Sequence, residues 1–149
     1  ALNTSTVTVF GSELTLSSAF IWLAFLGTWA SDTFAFFVGS KFGKHKLCPQ
    51  ISPAKTVEGF IGGIIGSTII LILLAKLFNF LLLPTAILGL IIGFIAPLGD
   101  LIESSIKRYT MIKDSGTLLP GHGGVLDRFD SAMIVIPIVY YYLQYINLY

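Results

Sequence analysis

The chain has 149 residues, of which 54% are hydrophobic and only 11% charged. Soluble domains carry about 25% charged residues, and a water-soluble fold of this composition would expose apolar surface that it lacks the polar residues to cover. Nine basic against eight acidic side chains leave a net charge of +1, a balance that identifies no partner, and the single cysteine, Cys48, excludes an internal disulfide and a multi-cysteine metal site.

Residues 1–15 begin without Met and lack a basic run followed by an apolar core, so they do not read as a signal peptide. They read as an external segment or as the cut edge of a longer protein. The remainder, residues 16–149, reads as one transmembrane domain. A bilayer core needs about 20 mostly apolar residues per helix, and four segments qualify, near 16–40, 57–78, 84–106 and 131–148. The expected fold is all-α, a polytopic transmembrane bundle of about four spans.

The basic residues, apart from Lys76 near the end of the second span, fall into two loops. Lys41, Lys44, Lys46 and Lys55 lie between the first and second spans, and Lys107, Arg108, Lys113 and Arg128 between the third and fourth. Short loops rich in Lys and Arg stay on the cytoplasmic side, and four antiparallel spans put both loops on that side. Three acids are placed where the bilayer makes them costly: Asp32 in the first span, and Asp100 and Glu103 near the end of the third. Asp100 and Glu103 are three apart and share a helix face, as do Asp127 and Asp130 at the start of the fourth span. No basic residue shares the helix turn before Asp100, so this acid is expected to protonate or to recruit a metal ion. Glu58 reads as a first-turn acid and Asp130 as a plausible helix cap.

Oxygen-rich carboxylate clusters suit Mg²⁺, which retains waters and bridges to phosphates. His45 and His122 have no zinc-ligand spacing. Pro120-Gly121-His122-Gly123-Gly124 lets backbone N–H groups approach an anion, with basic side chains nearby to clamp phosphate oxygens. Neither a Walker loop nor a GxGxxG turn is present. The glycines Gly62, Gly63 and Gly66 read as a close helix-packing face. Together these features suggest phosphoryl or nucleotidyl chemistry on a lipid at the cytoplasmic surface.

The charged segment reads Ser104-x-Ile106-Lys107-Arg108, then Lys113-Asp114-x-Gly116, then Leu119-Pro120-x-His122-Gly123-Gly124-Val125-x-Asp127-Arg128-Phe129-Asp130. It resembles, without a broken position, the signature of the phosphatidate cytidylyltransferases, the CDP-diacylglycerol synthases. Ser31 to Gly39 and Ile51 to Gly59 resemble upstream segments of that family, with Phe36, Ala54 and Val57 where the family has Tyr, Lys and Trp. The resemblance implies the C-terminal catalytic half of such an enzyme, in a bacterial-type inner (cytoplasmic) membrane with its active site on the cytoplasmic side.

It further implies that CTP and phosphatidic acid are joined to CDP-diacylglycerol and pyrophosphate, within a membrane of lipids and without nucleic acid. Asp100 and Asp127 would hold Mg²⁺, with Asp130 and Glu103 as further candidates and a second cation left open. Lys107 and Arg128 would act in catalysis. Ser104, Arg108, Lys113, Asp114, His122, Gly123, Gly124, Asp32 and Lys55 would bind substrate. Lys55 is expected to be peripheral, with Lys55→Ala much milder than Asp127→Asn. A homodimer is left open. The alternatives are an ion transporter or channel subunit using its intramembrane carboxylates, and an inactive fragment of the synthase.

Overall fold

The structure, a computed structural model, describes residues 6–9, 12–110, 126–146 and 148. A short antiparallel hairpin, β1 (Thr6–Val9) and β2 (Ser12–Thr15), pairs Thr6 with Thr15. Helix α1 (Leu16–Phe42) starts where the Thr15 hydroxyl accepts from the Ser18 N–H. A second hairpin follows, β3 (Lys46–Cys48) and β4 (Ser52–Thr56), with Lys46 opposite Thr56. The remaining elements are helices: α2 (Val57–Phe78), α3 (Leu82–Tyr109) and α4 (Leu126–Tyr145). The all-α expectation holds for the body, to which the two hairpins add small polar attachments.

Local chemistry sets the helix boundaries. Thr56 takes an extended conformation and its Oγ1 accepts from the Gly59 N–H at 3.1 Å, the usual N-cap arrangement. At the other end of α2, Asn79 adopts the left-handed conformation (φ 55°) and returns its N–H to the Ala75 carbonyl, a geometry that Asn tolerates better than most residues. Among the described residues α1 (from Ser18), α2 and α3 are long and apolar enough to cross a membrane. The fourth helix begins at Leu126, earlier than the 131 expected from hydropathy. Its first turns contain Asp127, Arg128 and Asp130, which mask an apolar signal. Acids there are favoured by the positive end of the helix.

The helices are antiparallel neighbours in chain order, α1 along α2, α2 along α3 and α3 along α4. In lipid, such contacts rest on close packing of small residues. A side chain at Gly62 would overlap Val38 of α1, and one at Gly63 would meet the Ser31 backbone carbonyl at 3.0 Å. On α3, Gly89 and Gly93 lie against the backbone of Thr68 and Ile64 in α2, and the Ser67 hydroxyl donates across this interface to the Gly89 carbonyl at 2.8 Å. The small-residue reading of the α2 glycines therefore holds. The buried core, including Leu23, Leu71, Leu88, Ile92 and Val135, extends from this contact toward one end of the bundle. There the Leu81 N–H donates to the Leu148 carbonyl at 2.6 Å, and the Tyr142 hydroxyl to the Pro84 carbonyl at 2.8 Å. Phe78 and Phe80 stack beside them with ring centroids 5.6 Å apart.

Gly93→Val would drive a branched side chain into the Ile64 backbone, where a Cβ alone comes within 2.6 Å of Cα. A cost of about 1–3 kcal/mol is expected from overpacking, read as a lowered thermal midpoint in detergent. Ile87→Ala, on an exposed face, is expected to leave the midpoint unchanged. Equal midpoints for the two variants would show that α2 and α3 do not approach this closely.

Candidate active site

Antiparallel packing brings the end of α1, the β3–β4 hairpin, the start of α2, the C-terminal half of α3 and the start of α4 to the same end of the bundle. The α3–α4 contact is made by Gly99. A Cβ at that position would lie 3.0 Å from Ser131 Cα and 3.2 Å from the Asp130 carbonyl, so only glycine permits this approach without displacement. The next residue on α3 is Asp100, and the crossing carries it to Asp130. One carboxylate oxygen from each of Asp100, Glu103 and Asp130 lies within 4.8 Å of the others.

Two ammonium groups and several dipoles stabilise these acids. Lys55, the residue before the α2 cap, places Nζ 2.7 Å from Asp100 Oδ2 and donates to the Pro97 carbonyl at 3.0 Å. Lys107 reaches back one turn to Glu103 Oε2 at 3.1 Å. The Ser104 hydroxyl donates to Asp100 Oδ1 at 3.1 Å, and the Ser131 N–H donates to Asp130 Oδ1 at 2.6 Å. Beside the Lys55–Asp100 pair lies a cavity of about 460 Å³, whose walls include Asp32, Phe36, Thr56 and Phe60.

The hairpin that presents Lys55 is itself anchored. Glu58, in the first turn of α2, accepts from the backbone N–H groups of Lys44 (3.2 Å) and His45 (3.3 Å) and pairs with His45 Nδ1 at 2.7 Å. This is the first-turn role expected for Glu58, with a loop as its partner.

The structure thus brings together Asp100, Glu103, Asp130, Ser104, Lys107 and Lys55, with Asp32 on the wall of the adjoining cavity. Arg108 is exposed on the last turn of α3. Asp127 and Arg128 fall in the first turn of α4, with Asp127 one turn before Asp130; their side chains lie outside the described residues. Lys113, Asp114, His122, Gly123 and Gly124 lie wholly outside them. One inference from the sequence needs correction. Asp100 does have a cationic partner, but it comes from the α1–α2 loop region, 45 residues earlier in the chain. Lys55 thus stands in direct contact with Asp100. Phe36, Thr56 and Phe60 were missed as cavity walls. The signal for Thr56 was its capping position directly after Lys55.

This arrangement defines the class: a polytopic α-helical membrane protein with a mixed acidic and basic site at one end of the bundle. The chain belongs to the cytidylyltransferase family, whose model matches residues 6–146. It is 50% identical over 122 residues to a phosphatidate cytidylyltransferase of Staphylococcus saprophyticus, covering 80% of this chain and 47% of that protein. It is 49% identical over 122 residues, with the same coverage, to one of Staphylococcus aureus strain COL. Over 130 residues it is 48% identical to one of Bacillus subtilis strain 168, covering 83% of this chain and 47% of that protein. The chain therefore spans about half the length of the curated relatives it matches.

Glu58→Gln removes the charge that holds the Lys44–His45 backbone. Trypsin is expected to cleave after Lys44 and Lys46 several-fold faster in this variant, with helical content retained. An unchanged cleavage rate would mean that the carboxylate does not anchor the loop.

Proposed function

We propose that this chain carries the catalytic site of a phosphatidate cytidylyltransferase, joining CTP to phosphatidic acid to give CDP-diacylglycerol and pyrophosphate at the cytoplasmic face of a bacterial inner membrane. The observation that carries the reading is the convergence of Asp100, Glu103 and Asp130 with Lys55 beside a cavity at one end of an apolar bundle. The names of the relatives point to the same reaction, and the density of Lys and Arg around this end supports its cytoplasmic orientation.

The donor set fits Mg²⁺. It is all carboxylate oxygen, with one oxygen per residue within 4.8 Å of the others, and it leaves coordination positions for water and for substrate phosphates. Asp100, Glu103 and Asp130 would hold the ion, with Asp127 one turn before Asp130 as a further candidate ligand. When bound, the ion would neutralise charge on the triphosphate and on the departing pyrophosphate.

The chain's own residues bind and orient. Lys55 and Lys107 stand next to the acids and offer ammonium groups to phosphate oxygens. The cavity receives the nucleotide, with Asp32 as an acceptor for its donor groups. Arg128, Lys113 and the glycine-rich segment at His122 complete the phosphate contacts on this reading. The lipid phosphate approaches from the membrane surface. A bond forms between its oxygen and the α-phosphorus of CTP, while the bond from that phosphorus to the pyrophosphate oxygen breaks. No general base is needed, because a phosphate monoester is already anionic near neutral pH.

The test is CTP incorporation into lipid by membranes containing the chain, both as it stands and joined to the N-terminal half of the Bacillus subtilis relative. Asp100→Asn is expected to lower Mg²⁺-dependent incorporation by about 100-fold or more, the scale of losing one preorganised electrostatic contact. Because Lys55 pairs with Asp100, Lys55→Ala is expected to approach that loss, reversing the mild effect expected from sequence. Ile102→Ala, on the exposed side of the same helix, should be silent. Near-normal incorporation by Asp100→Asn would remove the proposed site.

A further inference from the structure

We propose that Lys55 is an exchangeable counter-ion. Its ammonium group and a divalent cation compete for the carboxylate of Asp100, and the displaced ammonium turns into the adjoining cavity to meet the anion that accompanies the cation. This inference rests on the reading of Asp100, Glu103 and Asp130 as cation ligands.

The competition follows from the geometry. Both oxygens of Asp100 are engaged, Oδ2 by Lys55 Nζ at 2.7 Å and Oδ1 by the Ser104 hydroxyl at 3.1 Å. A Mg²⁺–oxygen bond is about 2.1 Å long. A divalent ion on either oxygen of this carboxylate would therefore stand only a few ångströms from the ammonium nitrogen, and the two like charges repel. Binding of the ion therefore works against the Lys55–Asp100 pair.

Of the two ammonium groups, Lys55 is the one placed to move. Lys107 pairs with Glu103 on its own helix at i, i+4 and is fixed by that helix. Lys55 comes from a different element, the end of β4, on a flexible four-carbon stem. It also lines the cavity of about 460 Å³, whose walls include the further acid Asp32 and the hydroxyl residue Ser40. The displaced ammonium thus enters a space with polar partners. A polyphosphate arriving with the cation would give it a stronger one. The cation alone then has to displace an ion pair, whereas cation and anion together replace it. Their binding is positively coupled, and the coupling is reciprocal.

The probe is Mn²⁺, titrated by electron paramagnetic resonance into the purified chain in nanodiscs, first alone and then with pyrophosphate. Lys55→Met is expected to bind Mn²⁺ alone at least about fivefold more tightly than wild type, the lower range of typical coupling, and to lose a similar factor of the enhancement given by pyrophosphate. Lys55→Arg, which keeps the positive charge, should behave as wild type. Equal or weaker Mn²⁺ binding by Lys55→Met overturns the proposal.

Asp100→Asn separates this failure from failure of the underlying site. If Mn²⁺ binding by wild type persists unchanged in Asp100→Asn, the cation-site reading itself is wrong. Hydrogen exchange in the wild-type chain gives a measurement independent of any variant's folding. Amides of the β3–β4 hairpin should exchange faster with Mn²⁺ and slow again when pyrophosphate is added. No change on Mn²⁺ binding counts against displacement.

Discussion

Three partly buried carboxylates that each bring one oxygen within 4.8 Å of the others repel one another. This crowding is the constraint around which the charged end of the bundle is organised. Asp100 alone draws on Lys55 from one element and Ser104 from another turn of its own helix. Glu103 takes Lys107 from its own helix, and Asp130 is supported by the Ser131 N–H and the positive end of α4. A fold seeking only stability would place apolar side chains at this crossing, since buried ion pairs rarely repay their desolvation. Keeping the acids there makes sense when charge is to be handled. Their position at one end of the spans, away from the membrane middle, suits a surface reaction better than an ion path.

Much of the scaffold could be read directly from the residues. The apolar runs located α1, α2 and α3, because a membrane span states its length in composition alone. Asp32, Asp100 and Glu103 stood out because carboxylates within a span need a reason. Two things were harder to see. The start of α4 was hidden because Asp127, Arg128 and Asp130 lower the hydropathy of residues that nevertheless fold as helix. The Lys55–Asp100 pair was hidden because it links positions 45 residues apart through a hairpin. No local period reports that pairing, and a search confined to the helix turn of Asp100 could not find its cation. The unmatched acid pointed, on sequence, to protonation or a metal ion, and not to a lysine of the α1–α2 connection.

The β3–β4 hairpin is short, and three side chains tie it to the rest of the fold. Glu58 holds its leading strand by the backbone at Lys44 and His45, Thr56 converts its trailing strand into α2, and Lys55 between them reaches the acids. Gly39 and Gly59 let α1 and α2 meet beneath it, since a side chain at Gly59 would come within 2.7 Å of the Ala35 carbonyl. The hairpin therefore acts as a bracket that presents one lysine. The chain spans about half of each relative named above, and this bracket, with both of its anchors, lies entirely within that half.

The two ends of the bundle are fastened by different physics. Far from the acids, Leu81 is hydrogen-bonded to Leu148, Tyr142 to Pro84, and Phe78 and Phe80 stack over a buried core. None of those contacts depends on ionisation or ionic strength. The opposite end adds ion pairs to its close glycine contacts, Lys55 with Asp100 and Lys107 with Glu103. Added salt is therefore felt at one end of the molecule, where it screens those pairs, and hardly at the other.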